Sequence, residues 1–415
     1  MNGANKAIGP WPLGVDNRKA DHALTQADGN VVVDLLRSAT NVDITDEGRL
    51  RRRAGFTLAL AGQRMHSLWS DGRATGFCVD GQRLLQLDER LVATEIRADL
   101  VPGQPLSFCE AGGTYFYTGG GQIGMVRDGA RLDFTPTPHV MPALDVIAGA
   151  LPAGRYQLCF THLGPGGESA ATPIHDIVLA EPGGISISTI PAPETLLAYM
   201  TGPDGEVLGR VGQVDGSLDI VAPPNLGARC QTLNLAAMPA GSIVRFSNGR
   251  LLVAVGNLLV YSEPFSLGLT NPSKNYIPFP APITVVEPCG TGVFVAADKT
   301  YWIAGEITQA SLAVKLPYGG VAGSGARDTL SAETALWLSE RGLVVGTADG
   351  TATAVQASRL ALSGGAAGAV LRREQDGMQH VVTAVRDPMG MAGACSSYFD
   401  AEIVRKGSRN EPTSP

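Results

Sequence analysis

A short unit, made of a glycine, an apolar strand, a tight turn and a second strand, constrains the fold more than any other feature. Copies of this unit begin at Gly76, Gly113, Gly249, Gly292 and Gly342. They recur about every 40 to 50 residues on either side of a central gap, the period of propeller blades. Turn dipeptides such as Asp80-Gly81 and Gly256-Asn257 suit tight hairpins. The pattern predicts a β-propeller of about five to seven blades.

Helical patterning is nearly missing. No segment of about twelve residues carries apolar side chains at helical spacing. The closest helical candidate runs from Ser331 to Leu338 and would make barely two turns. An all-β fold is therefore expected.

The central gap, residues 143–238, has a different sequence pattern. Gly154 to Thr161 alternates polar and apolar residues, and a glycine- and proline-rich stretch follows at 164–173. This pattern favours a small antiparallel sandwich inserted at a loop tip. Tyr156, Phe160, Thr161 and the tripeptide Gly167-Glu168-Ser169 resemble fibronectin type III modules.

These features predict five segments along the chain. They are an N-terminal arm (1–30), a first propeller part (31–142), the inserted sandwich (143–238), a second propeller part (239–390) and a C-terminal tail (391–415). In the arm, Trp11 lies between two prolines. It would either anchor against another surface or cover its own domain.

Composition favours an assembled protein. Charged residues make up 17% of the chain, against about 25% in average soluble proteins. The 52 glycines and 27 prolines require many turns. A surface with few charges is expected to be covered by partner subunits, since monomers rely on charge for solubility.

No catalytic, metal or cofactor motif stands out, so we expect neither an enzyme nor a bound cofactor or metal. The six cysteines are scattered, and Cys78, Cys109 and Cys159 lie in apolar strand-like runs, where a thiol behaves as a small core residue. His175 and Asp176 are adjacent, but neighbouring strand residues point to opposite faces. We also expect no signal peptide and no membrane span.

One basic run stands out in a chain of net charge −7. Arg49, Arg51 and Arg53 would share one face of a strand, with Leu50 and Arg52 on the other. The four arginines are candidates for a subunit contact or a contact with DNA phosphates. The alternative is a solvated strand whose charges block unwanted edge pairing.

Two groups of residues resemble phage and prophage tail structural proteins. The first runs from Asn41-Val42-Asp43 through Gly48 and Arg51-Arg52-Arg53-Ala54-Gly55 to His66-Ser67-Leu68-Trp69, with Ala54 where proline is common. The second comprises Leu259 to Phe265, Gly292 to Val295, and Gly305 with the segment 316–324. The resemblance covers roughly residues 35–360.

This resemblance implies a propeller-bearing nozzle or hub subunit in a virion tail, synthesised in the host cytoplasm. Such subunits form rings, usually hexamers, around a channel for the ejected DNA. They contact portal-side or adaptor-side tail proteins and tail fibres, without reading the DNA sequence. An alternative is a tail-tip propeller that binds a receptor or glycans or is carbohydrate-active, with Trp69, Tyr276 and Trp302 stacking on sugars. Trp69 and Trp302, however, lie in apolar strand-like contexts, which favour core packing.

Overall fold

β strands account for almost all of the regular structure. The computed structural model describes residues 10–28, 31–39, 42–45, 47–52, 58–132, 134, 141–189, 195–309, 311–327, 333–359, 367–375, 378–386 and 399–401. These residues form 37 strands and two three-residue 3₁₀ helices, which confirms the all-β prediction. The chain divides into two compact units, one of residues 1–62 with 280–415 and one of residues 63–279.

The N-terminal segment of the first unit contains two pairs of antiparallel strands, β1 with β2 and β3 with β4. Its elements are η1 (Asp21–Ala23), β1 (Thr25–Asp28), β2 (Val31–Asp34), β3 (Val42–Ile44) and β4 (Leu50–Arg52).

Residues 10–28, the described part of the predicted arm, are tied to their own unit. The Trp11 amide donates to the Gly48 carbonyl at 2.7 Å. The Arg359 guanidinium donates to the Leu13 carbonyl at 2.9 Å, and the Asn17 amide donates to the Arg359 carbonyl at 3.0 Å. Trp11 therefore belongs to a segment that covers its own unit.

The second unit opens with two four-stranded antiparallel sheets in which strand order follows chain order. Sheet 1 comprises β5 (Met65–Ser70), β6 (Gly76–Asp80), β7 (Arg83–Leu87) and β8 (Ala93–Arg97). Sheet 2 comprises β9 (Ser107–Ala111), β10 (Thr114–Gly119), β11 (Gln122–Arg127) and β12 (Ala130–Leu132). The two sheets share a core, in which Phe77 and Phe108 stack with ring centroids 5.5 Å apart.

Eight strands follow and form a central pair of sheets. They are β13 (Ala143–Leu151), β14 (Gly154–Gly164), β15 (Gly167–Glu168), β16 (His175–Leu179), β17 (Gly183–Ser188), β18 (Thr195–Met200), β19 (Gly209–Val214) and β20 (Ser217–Ile220). The strand orders are β13–β17–β20 and β15–β14–β18–β19, with β16 also paired to β14. Leu158 and Phe160 of β14 pack against Ile185 and Ile187 of β17 in one buried core. Alternation along β14 thus places every second residue between the two sheets.

Sheet 3 completes the second unit. Its region contains β21 (Ala236–Ala237), β22 (Ile243–Ser247), β23 (Arg250–Val255), β24 (Leu258–Tyr261), β25 (Leu269–Thr270) and β26 (Tyr276–Pro278). The sheet has the order β22–β23–β24–β26, and β21 pairs with β25. Asn248 and Gly249 both have positive φ, 47° and 75°, as a type I′ hairpin between β22 and β23 requires. Val244 and Val253 share a core with Phe116 of sheet 2.

The first unit continues with two more four-stranded sheets. Sheet 4 comprises β27 (Val285–Cys289), β28 (Gly292–Ala296), β29 (Thr300–Ile303) and β30 (Leu312–Leu316), with η2 (Ile307–Gln309) before β30. Sheet 5 comprises β31 (Ala326–Arg327), β32 (Thr334–Ser339), β33 (Gly342–Thr347) and β34 (Ala352–Ala354). Phe294 and Trp302 of sheet 4 pack against the fully buried Trp337 of sheet 5. The short helical candidate at Ser331–Leu338 is wrong, because 334–339 is strand.

A three-stranded sheet ends the described chain, in the order β35 (Ala367–Gln375), β36 (Met378–Arg386) and β37 (Phe399–Ala401). Val370 and Val381 pack against Leu338 and Leu343 of sheet 5. The segment predicted as a tail therefore contributes one strand, β37, while residues 391–398 and 402–415 lie outside the described residues.

Candidate functional site

The predicted contact arginines lie on and beside β4. Arg49, Arg51 and Arg52 are exposed, whereas Arg53 lies outside the described residues. Arg49 forms an ion pair with Glu47 at 3.2 Å, and Arg51 lies opposite Asp43 in the register of β3 and β4. Acidic groups beside two of the three arginines reduce the positive potential that a phosphate backbone would meet.

Strand β13 offers an exposed edge. It spans nine residues with one charge, Asp145, and it pairs on one side with β17. No described strand pairs with its other edge. Val146 is 61% exposed and Ala148 is exposed. Long edge strands are normally protected by lysine, proline, inward charges or bulges, because bare edges pair with other chains. The register of β13 shifts between Ile147 and Leu151, where the Ala150 amide donates to the Val221 carbonyl. The regular run from Ala143 to Ile147 is therefore the part of this edge that a further strand could pair with.

A glycine-rich cavity of about 530 Å³ opens where the ends of sheets 2 and 3 meet. Its walls are Val101, Gln104, Pro105, Gly119, Gly120, Gly121, Ala240, Gly241, Ser242, Val255 and Gly256, none of which is charged. The fully buried Thr118 holds the two sheets together here. Its hydroxyl accepts the Gly241 amide at 2.8 Å and donates to the Gly241 carbonyl at 3.1 Å.

Two glycines of this cavity, Gly119 and Gly241, are required by the close approach of neighbouring backbone. Gly119 has a φ of 155°, and a Cβ there would collide with the Pro105 carbonyl oxygen. A Cβ at Gly241 would likewise collide with the Ala254 carbonyl oxygen. The close backbone packing leaves an open, concave surface of backbone groups, small apolar side chains and the polar side chains of Gln104 and Ser242.

The turn Glu263–Ser266 carries the most exposed large apolar side chain among the described residues. Phe265 is 97% exposed and has a φ of 61°. A bulky residue rarely adopts positive φ, since the conformation strains the backbone. We refer to these four residues as the Phe265 turn.

A polar cluster lies on the outer face of the second central sheet. Oε1 of Glu168 accepts hydrogen bonds from the hydroxyls of Thr161, at 2.6 Å, and Tyr199, at 2.7 Å. Burial, with the Glu168 carboxylate beside it, raises the pKa of the Tyr199 phenol. Cys159 and Cys230 pack together next to this group.

The cysteine prediction is confirmed: Cys78, Cys109 and Cys159 are buried free thiols. Burial raises the pKa of Cys109 to about 12. Asp176, the neighbour of His175 in the sequence, accepts two hydrogen bonds from the Arg155 guanidinium. These bonds hold the pKa of Asp176 below its usual value.

The three aromatic candidates for sugar stacking are placed differently. Trp302 is buried in the core of sheets 4 and 5. Trp69 is half-buried, with its ring centroid 6.2 Å from that of Phe77 and 6.0 Å from that of Phe108. Tyr276 is 44% exposed. Trp302 thus lies in a core and Trp69 packs against one, as their apolar strand-like contexts predicted, whereas Tyr276 is exposed.

Within the described ranges, no three His, Cys, Asp or Glu side chains come close enough to hold a metal ion. Neither described helix has the length and hydropathy needed to cross a bilayer.

Neither a protein-family model nor a curated protein sequence matches the chain. It is similar to the solved structure of BBS1N in complex with ARL6DN, with 10% identity, 84% of this chain and 95% of that chain covered, and a TM-score of 0.35. The AfRom2 CNH domain gives 7% identity, 78% and 91% coverage and a TM-score of 0.26. Kluyvelomyces marxianus Hsv2 gives 9% identity, 76% and 89% coverage and a TM-score of 0.28. TM-scores below 0.5 do not establish a shared fold, so the fold description rests on the sheets themselves.

Sequence reasoning did not single out β13, the cavity or the Phe265 turn as contact surfaces. Local signals could have found two of them: a nine-residue apolar strand with one charge marks β13, and a phenylalanine directly after a proline marks the Phe265 turn. The cavity has no local signal, because four separate chain segments line it.

Proposed function

We propose that this protein is a structural subunit of a phage tail. Its copies form a ring, most simply a hexamer, that continues the DNA ejection channel and holds neighbouring tail proteins or fibres. The proposal rests on the residues that resemble tail structural proteins, from Asn41 to Trp69 and from Leu259 to Phe265, and on the exposed edge of β13 described above.

The observation that carries the assembly role is the bare edge of β13. The regular run from Ala143 to Ile147 holds one charge, Asp145, and Val146 is exposed. A soluble monomer with such an edge risks uncontrolled pairing, whereas a subunit of a fixed assembly covers the edge with a neighbouring strand. We therefore assign β13 to a contact with the next subunit.

The repeated sheets support a propeller within this subunit. Five four-stranded antiparallel sheets are described, and sheet 1 packs on sheet 2, sheet 2 on sheet 3 and sheet 4 on sheet 5. Face-to-face packing of successive four-stranded sheets is the arrangement of propeller blades. We propose that these sheets are blades and that the central pair is an inserted sandwich of fibronectin type III-like character.

The acidic balance of the chain suits a conduit. With a net charge of −7, the subunit repels DNA phosphates rather than holding them, so a duplex would slide past the wall without sticking. The mechanism is mechanical: the ring guides the genome, and no bond is made or broken in it.

Native mass spectrometry and electron cryo-microscopy of the full-length protein test this proposal. We expect a closed ring with a central channel. Val146→Lys places a charge on the β13 edge and should reduce the ring fraction. Val92→Lys adds the same charge at another exposed valine, in the turn before β8, and should leave the ring intact. A protein that stays monomeric at every concentration tested, or binds glycans as a monomer or trimer, would overturn the proposal.

A further inference from the structure

We infer that Cys159 and Cys230 are a reversible thiol–disulfide pair, and that their oxidation fastens one connecting segment to the outer face of the second central sheet. This segment, residues 221–235, leads from β20 to β21, and we call it the return segment. Both cysteines are free thiols of the unit 63–279. The inference concerns this unit alone and does not rest on the proposed ring.

The second central sheet has two faces, and Cys159 lies on the outer one. Its neighbours on β14, Leu158 and Phe160, lie in the core between the two central sheets, so alternation turns Cys159 away from that core. Leu197 and Tyr199 of β18 share a cluster with Cys159 on the outer face. Because Cys159 is fully buried there, another part of the chain must cover it.

The return segment provides this cover. At one side of the sheet, the Cys230 amide donates to the carbonyl of Leu208, directly before β19, at 3.0 Å. At the other side, the Ala171 amide, which follows β15, donates to the Thr232 carbonyl at 3.2 Å. The strand order β15–β14–β18–β19 lies between these two points. The segment therefore crosses the outer face, where Cys230 and Leu233 pack against the cluster of Cys159.

The two thiols meet under this segment. The Cys159 thiol donates a hydrogen bond to the sulfur of Cys230. A disulfide requires neighbouring cysteines whose side chains converge, and the hydrogen bond shows that these two do. Other buried thiols lie in separate cores: Cys109 between sheets 2 and 3, and Cys289 between sheets 4 and 5.

The environments of the two thiols differ in the way that a redox pair requires. Cys230 is half-buried and Cys159 fully buried, so a small oxidant reaches Cys230 first. The hydrogen bond from Cys159 lowers the pKa of Cys230 and raises the pKa of Cys159. The Thr232 hydroxyl, 3.7 Å from Sγ of Cys230, also favours the thiolate, whereas the Glu168 carboxylate opposes it. Cys230 is therefore the attacking thiol and Cys159 the resolving thiol.

The reaction balances with hydrogen peroxide as the oxidant. The Cys230 thiolate attacks one peroxide oxygen and the O–O bond breaks, which leaves a sulfenic acid and a hydroxide that takes up the proton lost by Cys230. The Cys159 sulfur then attacks the sulfenic sulfur; an S–S bond forms, the S–O bond breaks, and the hydroxide leaves with the Cys159 proton as water. The thiols lose two electrons and two protons, and the peroxide becomes two water molecules.

Oxidation would change the stability of the central sheets. The disulfide closes a covalent loop of roughly 70 residues, and closing such a loop restricts the unfolded chain more than the folded one. The loop contains β15 to β20 and the first part of the return segment. Thiols stay reduced in the cytosol and oxidise outside the cell, so the state of this pair would follow the compartment that holds the protein.

Oxidation of the folded, full-length protein tests the inference. A Cys395→Ser background removes the thiol outside the described residues. Treatment with hydrogen peroxide should remove the mass of two hydrogen atoms, and peptide mass spectrometry should find Cys159 joined to Cys230. Dithiothreitol should restore both thiols. Urea unfolding, followed by hydrogen exchange at peptides of the central sheets, should show a folding equilibrium constant at least about 30-fold higher in the oxidised form.

Three variants in the same background assign the roles. In Cys159→Ala, Cys230 should stop at the sulfenic acid, which dimedone traps. In Cys230→Ser, Cys159 should stay reduced, and peroxide should not change the resistance to urea. Cys78→Ala is the matched control, because it removes a buried thiol of sheet 1 and should leave disulfide formation unchanged. Circular dichroism confirms that each variant is folded, and the result for the parent needs no variant.

Three outcomes would overturn the inference. The first is that both thiols stay reduced under peroxide that fully oxidises free glutathione. The second is sulfinic acid at Cys230 beside a free Cys159, since the resolving thiol would then be out of reach. The third is a disulfide that leaves the resistance to urea unchanged, because the bond would then fasten nothing. None of these outcomes bears on the ring, which Val146→Lys tests separately.

Discussion

The phenolic hydroxyl of Tyr199 donates a 2.7 Å hydrogen bond to Oε1 of Glu168. The Tyr199 ring is buried on β18, and Glu168 is half-buried on β15. The Thr161 hydroxyl of β14 donates to the same carboxylate oxygen. One carboxylate therefore links three strands of the second central sheet. Loss of either hydroxyl donor should weaken this sheet.

Replacing Tyr199 with phenylalanine should destabilise the protein by about 1.5 to 3 kcal/mol, the cost of removing one buried hydrogen bond to a charged acceptor. Burial and the neighbouring Glu168 raise the pKa of Tyr199. The parent should thus lose stability as the pH rises above about 10, because the unfolded tyrosine ionises while the folded one resists ionisation. Tyr199→Phe should show less of this loss. Urea unfolding at neutral and alkaline pH measures both effects.

The control for this change is Tyr276→Phe, which removes a hydroxyl from a partly exposed side chain. It should alter the free energy of unfolding by less than about 0.5 kcal/mol. If Tyr199→Phe were as mild, the hydrogen bond to Glu168 would not stabilise the sheet.

Asp349 organises the turn between β33 and β34. Its carboxylate accepts hydrogen bonds from the Thr347 hydroxyl at 2.5 Å, and from the amide and hydroxyl of Thr351 at 3.0 and 2.9 Å. These bonds lower the pKa of Asp349 to about 2. Because the pKa is lower in the folded state, the carboxylate stabilises the fold above its unfolded pKa of about 4. That contribution should fade as the pH falls towards 2.

Asp349→Asn should therefore reduce the slope of the unfolding temperature against pH in the acid range. Differential scanning calorimetry at several acidic pH values measures this slope. Glu340→Gln removes one negative charge from the preceding hairpin and controls for net charge. Identical acid dependence in the parent and Asp349→Asn would show that the turn bonds do not favour the ionised carboxylate.

The contact between sheets 4 and 5 requires glycine at position 346. A Cβ at this position of β33 would collide with the ring of Phe294. Gly346→Ala should cost about 1 to 3 kcal/mol, because overpacking displaces a well-packed ring. Gly202→Ala adds the same methyl group where no atom lies within 4 Å, and should be nearly neutral. Thermal unfolding compares the two; equal unfolding temperatures would contradict the packing described.

Local features of the fold could be predicted from the sequence. The apolar runs around Cys78, Cys109 and Cys159 correctly predicted that these residues are buried, and short apolar runs around tight turns indicated the sheets. The segment 331–338 misled because Ala335 to Leu338 is a continuous apolar run. Such a run also fits a strand buried on both faces, and periodicity cannot distinguish the two.

Non-local relationships could not be predicted. Glu168 and Tyr199 are separated by 31 residues, and nothing in either local sequence says that they meet. The cavity likewise depends on the approach of residues 101–105, 119–121, 240–242 and 255–256. Phe265 is one of 11 phenylalanines, and its exposure follows from the backbone of its turn rather than from residue type.

Cys230 should be the most reactive of the described thiols. It is half-buried and packs with the fully buried Cys159, whose hydrogen bond lowers the pKa of the Cys230 thiol. In a Cys395→Ser background, Cys230 should react with iodoacetamide at least about tenfold faster than the buried Cys78 or Cys109, since the thiolate is the nucleophile. Peptide mass spectrometry gives each rate. Equal rates at Cys230 and Cys78 would contradict this order.

The arginines of β4 should contribute little to DNA binding. Arg49 is paired with Glu47, and Arg51 lies opposite Asp43. If Arg51 and Arg52 contacted phosphates, Arg51→Ser with Arg52→Ser would lower the slope of log affinity against log salt by about 0.9 for each lost contact. We expect no measurable change in this slope. Fluorescence anisotropy with a labelled duplex, between about 50 and 200 mM salt, tests this. A slope reduced by about two would instead show that both arginines contact DNA phosphates. Ring formation by the same double variant tests separately whether they form a subunit contact.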